Sequence, residues 1–183
     1  MSRLDSYIRR MQAQRDCLNW AAQAVSSLPG IVLELGLGNG RTYDHLRELL
    51  PERDIYVFER EVRGHANSLP PEKFLIVGNV EEMLLSAADH LPSMAALTHI
   101  DLGTSDAEAY KSFARLIGPL LYPLMTSGGI IVSNIALTVN EFIQNACPPN
   151  VKPGRYFIYR NNPNNPNQPA CDDEYALKFI SGR

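Results

Sequence analysis

Apolar residues follow two alternating rhythms along this chain. Short aliphatic and β-branched runs, dense enough for strands buried on both faces, are separated by stretches in which apolar positions recur every third or fourth residue. The runs are Ile31 to Leu35, Asp54 to Phe58, Lys73 to Val77, Ala95 to Leu102, and IIVSNIAL, which opens on Gly128 and Gly129. Helical periodicity marks Arg41 to Leu50 and Val80 to His90. A third helix begins at the capping-box pair Ser105 and Glu108 and continues through Phe113 and Ile117 toward Leu121. A fourth, Val139 to Ala146, is stopped by Pro148 and Pro149. Two late runs, Arg155 to Arg160 and Glu174 to Ile180, have no helix between them and read as an antiparallel hairpin. Before all of these, Leu4, Ile8, Met11, Leu18, Ala22 and Val25 recur at steps of three, four and seven, which predicts one long amphipathic helix. The alternation as a whole predicts an α/β fold, a doubly wound and mostly parallel sheet with an antiparallel edge.

The first strand ends in chemistry. In IVLELGLGNG three glycines, Gly36, Gly38 and Gly40, follow Glu34 at a strand-to-helix turn, where backbone without Cβ atoms can lie against a ligand. The dinucleotide fingerprint G-x-G-x-x-G fails here, because its third glycine position falls on Arg41. The motif present, E-x-G-x-G-x-G, resembles motif I of the class I S-adenosylmethionine-dependent methyltransferases. A carboxylate beside the turn suits a cationic ligand better than a pyrophosphate. Glu59, at the end of the second strand, stands nineteen residues after Gly40, close to the spacing at which an acidic residue meets ribose hydroxyls.

The resemblance covers about Pro29 to the C-terminus and implies a Rossmann-like, seven-stranded sheet with a terminal hairpin. It implies S-adenosyl-L-methionine as cofactor. Asn79 stands where the family usually has an acidic residue near the adenine amino group, with Val80 beside it, and Arg60 is placed to stack on the adenine. Tyr43, in the first turn after the glycines, meets the methionine part or packs the helix. The N-terminal helix is expected to pack on the sheet, to cover the acceptor site with Tyr7 or Arg10, or to form a dimer contact. All three stay open.

Asp101, at the C-terminal end of the fourth strand, is the first catalytic candidate and His99 the second, since residues two apart on a strand face one side. HIDLGTSDAEAYKSF and GGIIVSN also resemble the metal-dependent catechol and caffeoyl-CoA O-methyltransferases. Asp101 and Asn134 match that metal pattern. Ser133 replaces its second aspartate, which removes charge a hard cation needs, so a metal-free reaction is expected.

With 183 residues, 45% of them hydrophobic, a single domain is expected: residues 1–28 as the N-terminal helix and 29–183 as the core. A net charge of −3 provides no general basic field for nucleic acid, although Arg9, Arg10 and Arg15 form a local patch. Three scattered cysteines, Cys17, Cys147 and Cys171, point to free thiols, and neither a signal peptide nor a membrane-spanning run is apparent, so a cytoplasmic setting is expected. The loop Asn161 to Asp173, crowded with Asn and Pro, is read as the hairpin tip. The expected acceptor is a small molecule methylated on O or N by in-line displacement. A non-catalytic module that binds the cofactor and a nucleotide-dependent oxidoreductase remain the alternatives.

Overall fold

The computed structural model describes residues 2–103 and 107–162. Among them, helix α1 (Arg3–Ala24) precedes strand β1 (Ile31–Leu35), helix α2 (Arg41–Leu49), β2 (Ile55–Glu59), β3 (Leu75–Val77), α3 (Val80–Ala87) and β4 (Ala95–Ile100). Helix α4 (Ala107–Leu121), β5 (Met125–Ser133), β6 (Phe142–Asn145) and β7 (Phe157–Asn161) complete the order. The strands form one seven-stranded sheet in the order β3-β2-β1-β4-β5-β7-β6. The first five are parallel, and β7 runs antiparallel to both β5 and β6. Every residue of the central strands β1 and β4 is buried, as runs without polar alternation require when helices cover both faces.

The pleat divides the core in two. Val32, Val57, Leu97 and Val132 face α1 and α2, together with Cys17, Leu18, Ala21 and Leu46. Leu33, Leu35, Phe58 and Ile100 face the other way, onto Leu84 of α3 and Ile117 of α4. Arg53 fastens the end of α1 to the sheet by donating to the carbonyls of Val25, Leu28 and Gly30 at 2.6 to 3.0 Å, which satisfies acceptors that a helix end leaves open.

Two expectations are corrected. The segment Val139 to Ala146 is not helical: Phe142 to Asn145 form β6, which pairs with β7 from Phe142 with Asn161 to Asn145 with Ile158. A short apolar run satisfies either period, and the open edge of β7 decides it. The hairpin is therefore made of β6 and β7, whereas Glu174 to Ile180, like Ser105 and most of the Asn161 to Asp173 loop, lies outside the described residues. The second correction concerns α1, whose buried face is Ala13, Gln14, Cys17, Leu18, Ala21 and Ala22. Leu4 and Ile8, expected on that face, are 66% and 45% exposed. Only the C-terminal half of α1 packs on the sheet. Its N-terminal half projects past the strand ends.

Candidate active site

Gly36, Gly38 and Gly40 link β1 to α2 with φ of 93°, 52° and 77°, a left-handed series that side chains resist. At Gly36 a Cβ would stand 2.7 Å from the Asp101 carbonyl oxygen, and at Gly40 it would run into the carbonyl of Ser68, whereas Gly38 borders open space. The turn is thus packed from behind and free in front, a shape that admits a ligand against backbone. Glu59, at the end of β2, holds the turn. Its Oε2 accepts from the N–H groups of Leu37 at 2.8 Å and Gly38 at 2.9 Å, and its Oε1 from those of Arg60 and Glu61. A carboxylate carries about four acceptor positions, and these four N–H groups fill them beside the exposed face of Gly38.

Beneath the turn lies a chain of polar side chains drawn from four elements. Glu34 of β1 and His99 of β4 are direct neighbours in parallel register, on the sheet face covered by α1 and α2. Both are fully buried, and His99 Nδ1 donates to Glu34 Oε2 at 2.8 Å. Glu34 Oε1 accepts from Thr42 Oγ1, in the first turn of α2. Burial opposes charge on the imidazole, but the Glu34 carboxylate, helped by Asp101, outweighs it and holds the ring above its ordinary value of 6.5. Gln14 of α1 continues the chain. Its amide nitrogen donates to Asp101 Oδ2 at 2.9 Å and lies 3.4 Å from His99 Nε2. The neutral ring accepts that second N–H, while a protonated ring presents a donor to a donor and releases Gln14.

Asp101 ends the chain just beyond β4. Arg10 Nη2 donates to its Oδ1 at 2.7 Å, with the two side chains 43% and 20% exposed. Tyr156, before β7, stacks on His99 with ring centroids 6.5 Å apart. Burial pushes its phenol up, Asp101 adds to the push and Arg10 opposes it.

The site residues expected from the sequence are only partly brought together. Asp101 touches the glycine turn, and the Asp101 amide donates to the Leu35 carbonyl at 3.0 Å. His99 shares its side of the sheet but is sealed, so it meets Asp101 only through Gln14. Glu34 faces inward and not into the ligand side of the turn. Arg60 and Asn79 are exposed at the ends of β2 and β3, and Val80 opens α3 with its side chain in the core. Tyr43 is buried beside Leu46, with Arg47 over its ring. Arg10 meets Asp101 and Tyr7 accepts from Arg41 Nη1 at 2.7 Å, so α1 reaches over the strand ends as well as packing on the sheet. Gln14, Thr42 and Tyr156 were not anticipated. Gln14 and Tyr156 meet partners far away in sequence, 85 residues in the case of Gln14 and His99, whereas Thr42 is eight residues from Glu34 and meets it across the strand-to-helix turn.

The donor set does not suit a hard divalent cation. Ser133 Oγ is buried and donates to the Ile135 carbonyl, the Asn134 amide nitrogen donates to the Leu102 carbonyl, and Arg10 already neutralises Asp101. Among the described residues no three His, Cys, Asp or Glu side chains converge. A cavity of about 500 Å³ opens between α1 and α2, lined by Tyr7, Met11, Gln14, Arg41, Thr42 and His45. Gln14 and Thr42 connect it to the buried chain.

No curated protein sequence matches the chain. A solved S-adenosyl-L-methionine methyl transferase from Silicibacter pomeroyi is 45% identical, with a TM-score of 0.83 over 88% of this chain and 99% of that one. More distant structures share the fold. They include a candidate caffeoyl-CoA O-methyltransferase from Staphylococcus aureus, 12% identical with a TM-score of 0.50 over 79% of this chain and 82% of that one. Another is the MycE methyltransferase of the mycinamycin biosynthetic pathway, solved with Mg and S-adenosylhomocysteine, 16% identical with a TM-score of 0.53 over 98% of this chain and 54% of that one. A family model described as S-adenosyl-L-methionine methyltransferase matches residues 1–161. With a glycine turn backed by Asp101 and a match over most of its length, the chain belongs to the S-adenosyl-L-methionine methyltransferase family.

Proposed function

We propose that this methyltransferase transfers its methyl group to an O or N nucleophile of a small molecule, with Asp101 on the acceptor side of the site. The observation that carries the reading is the contact between Asp101 and the glycine turn, which joins the cofactor side and a carboxylate at the C-terminal ends of adjacent strands, where ligands enter such sheets. Bound S-adenosylmethionine supplies an electrophilic methyl carbon on a sulfonium, open to in-line displacement. The chain's own residues bind, orient and manage the proton. Gly36, Gly38 and Gly40 give backbone access, and Glu59 takes hydrogen bonds from ribose hydroxyls in exchange for those it accepts from Arg60 and Glu61. Arg60, Asn79 and Val80 border the adenine. Glu34 acts from beneath the turn, as a negative charge whose field favours a cationic ligand.

Asp101 accepts the hydrogen bond, and then the proton, of the attacking hydroxyl or amine. For that, Arg10 has to swing off Oδ1, and its substantial exposure leaves it room to do so. Gln14 keeps Oδ2 in place during the exchange. His99 has no access to the acceptor and works as a positioning residue, setting Gln14. A small acceptor is favoured by the cavity between α1 and α2, which falls in the range of small-molecule pockets. No described helix is long and apolar enough to cross a membrane, and Cys17 and Cys147 are free thiols, which fits the reducing cytoplasm we propose as its setting.

The test is calorimetric titration with S-adenosylmethionine and S-adenosylhomocysteine, followed by turnover on a panel of small phenols, amines and carboxylates. Asp101→Asn is expected to lower kcat about 100-fold with cofactor affinity changed less than about threefold. Unchanged turnover in that variant would remove Asp101 from the chemistry.

A further inference from the structure

On another side of α1 lies a cavity of about 380 Å³ that the methyl-transfer reading does not use. Arg9 stands three and four residues before Gln12 and Ala13, and Asp16 the same after them, so the four share one side of the helix. Tyr7, Met11, Gln14 and Leu18 share a different one, and Arg15 lies between the two and lines both cavities. The facing wall is the segment between β6 and β7, which contributes Asn150, Lys152 and Arg155.

Charge is the unusual feature of this cavity. In a chain of net charge −3 it gathers four cations, Arg9, Arg15, Lys152 and Arg155, against a single carboxylate, Asp16. Arg15 and Asp16 satisfy each other, with Nη2 to Oδ1 at 3.1 Å. Among the described residues no ion pair is formed by Arg9, Lys152 or Arg155. Asp5 feels the Arg9 charge but is held by Ser2 through a capping box. Arg155 makes one long contact, 3.5 Å to Ser6 Oγ. Arg9 Nη2 is the second, independent observation: it is buried, yet has no hydrogen-bond partner. A guanidinium nitrogen shut off from water without an acceptor is costly, and three uncompensated cations around one space repel. An anion in the cavity removes the repulsion, and it gives Arg9 an acceptor once the side chain turns Nη2 toward the space that it lines.

We propose that this cavity is a binding site for the phosphate group of a small molecule, separate from the methyl-transfer centre. Two guanidinium groups and one ammonium present more charge and more donors than a single carboxylate can use, and they match the several oxygens of a phosphate dianion. Gln12 and Asn150 add amide donors at the rim. The volume exceeds what a bare anion fills and lies at the lower end for small-molecule sites. A phosphate held there also ties α1, which carries Arg10 and Gln14, to the segment that ends in Tyr156.

The full chain is titrated with inorganic phosphate, glycerol phosphate and malate at matched ionic strength, followed by calorimetry and by thermal melting. Saturable binding of both phosphates, with malate at least about tenfold weaker, is the expected result. Arg9→Gln and Lys152→Gln should each weaken phosphate binding about tenfold, and Arg9→Lys by less, with melting temperatures in the absence of phosphate no lower than the parent's. S-adenosylmethionine affinity, measured on the same samples, should remain within about twofold of the parent. The proposal falls if phosphate binding is non-saturable, if malate binds as well as phosphate, or if the glutamine variants bind phosphate like the parent. Loss of S-adenosylmethionine affinity in the unsubstituted chain would instead strike the methyl-transfer reading alone.

Discussion

Glu34 and Glu59 stand near the ends of neighbouring strands, the one before the last residue of β1 and the other last in β2, and the structure sends them to opposite tasks. Glu34 is sealed beneath α1 and α2, where it accepts from His99 and Thr42. Glu59 remains at the open end of the sheet and accepts from four backbone N–H groups around the glycine turn. One carboxylate holds the core together under the glycine turn, and the other braces that turn from the open end of the sheet. The difference arises from register. Glu34 is flanked by β2 and β4, with helices above it, whereas β3, beside Glu59, is short and ends at Val77 opposite it.

The largest effect expected from that contrast is on stability. Glu34→Ala leaves the His99 N–H and the Thr42 hydroxyl without an acceptor in a dry interior, and breaking a buried pair in this way costs about 3–5 kcal/mol. Urea denaturation measures it. A loss below about 1 kcal/mol would mean that the two carboxylates are not distinct in role.

Glu59→Ala is expected to move the other observable. Cofactor affinity should fall at least about tenfold by calorimetry, with the loss of stability confined to about 1–2 kcal/mol because the bonds it releases are to backbone near solvent. Equal affinity in the variant would remove the ribose assignment.

A smaller, pH-dependent effect sharpens the contrast further. The folded His99 ring keeps its proton above the ordinary value of 6.5, so its contribution to stability is complete below about that pH. That contribution is lost as pH rises through the folded value. His99→Gln should therefore abolish the decline in stability that the parent shows above pH 6.5, as followed by melts across that range. In Glu59→Ala the decline should persist. A decline of the same size in His99→Gln would place its origin elsewhere.

Much of this was legible in the sequence because it is local. The run IVLEL followed by glycines at every second position specifies a buried strand and a tight turn, and both occur, the turn with its glycines at positive φ. Asp101 was legible too, as a carboxylate at the end of a buried strand. What escaped was whatever depends on a remote partner. Phe142 to Asn145 carry a helical spacing, yet the free edge of β7 makes them a strand. Leu4 and Ile8 continue the apolar stripe of α1, but the sheet ends before it reaches them and they stand in solvent.

The chain's own order of residues determined the strand–helix alternation, the turn chemistry and the identity of the carboxylates, because periodicity and backbone freedom are encoded within a few positions. Tertiary structure alone decided which carboxylate is buried. Glu34 and His99 lie 65 residues apart and meet only through strand register, and Gln14 and Arg10 reach Asp101 only once α1 is laid across the strand ends. A hydrogen bond across such a distance leaves no trace in local pattern, since neither partner needs any particular neighbour to make it.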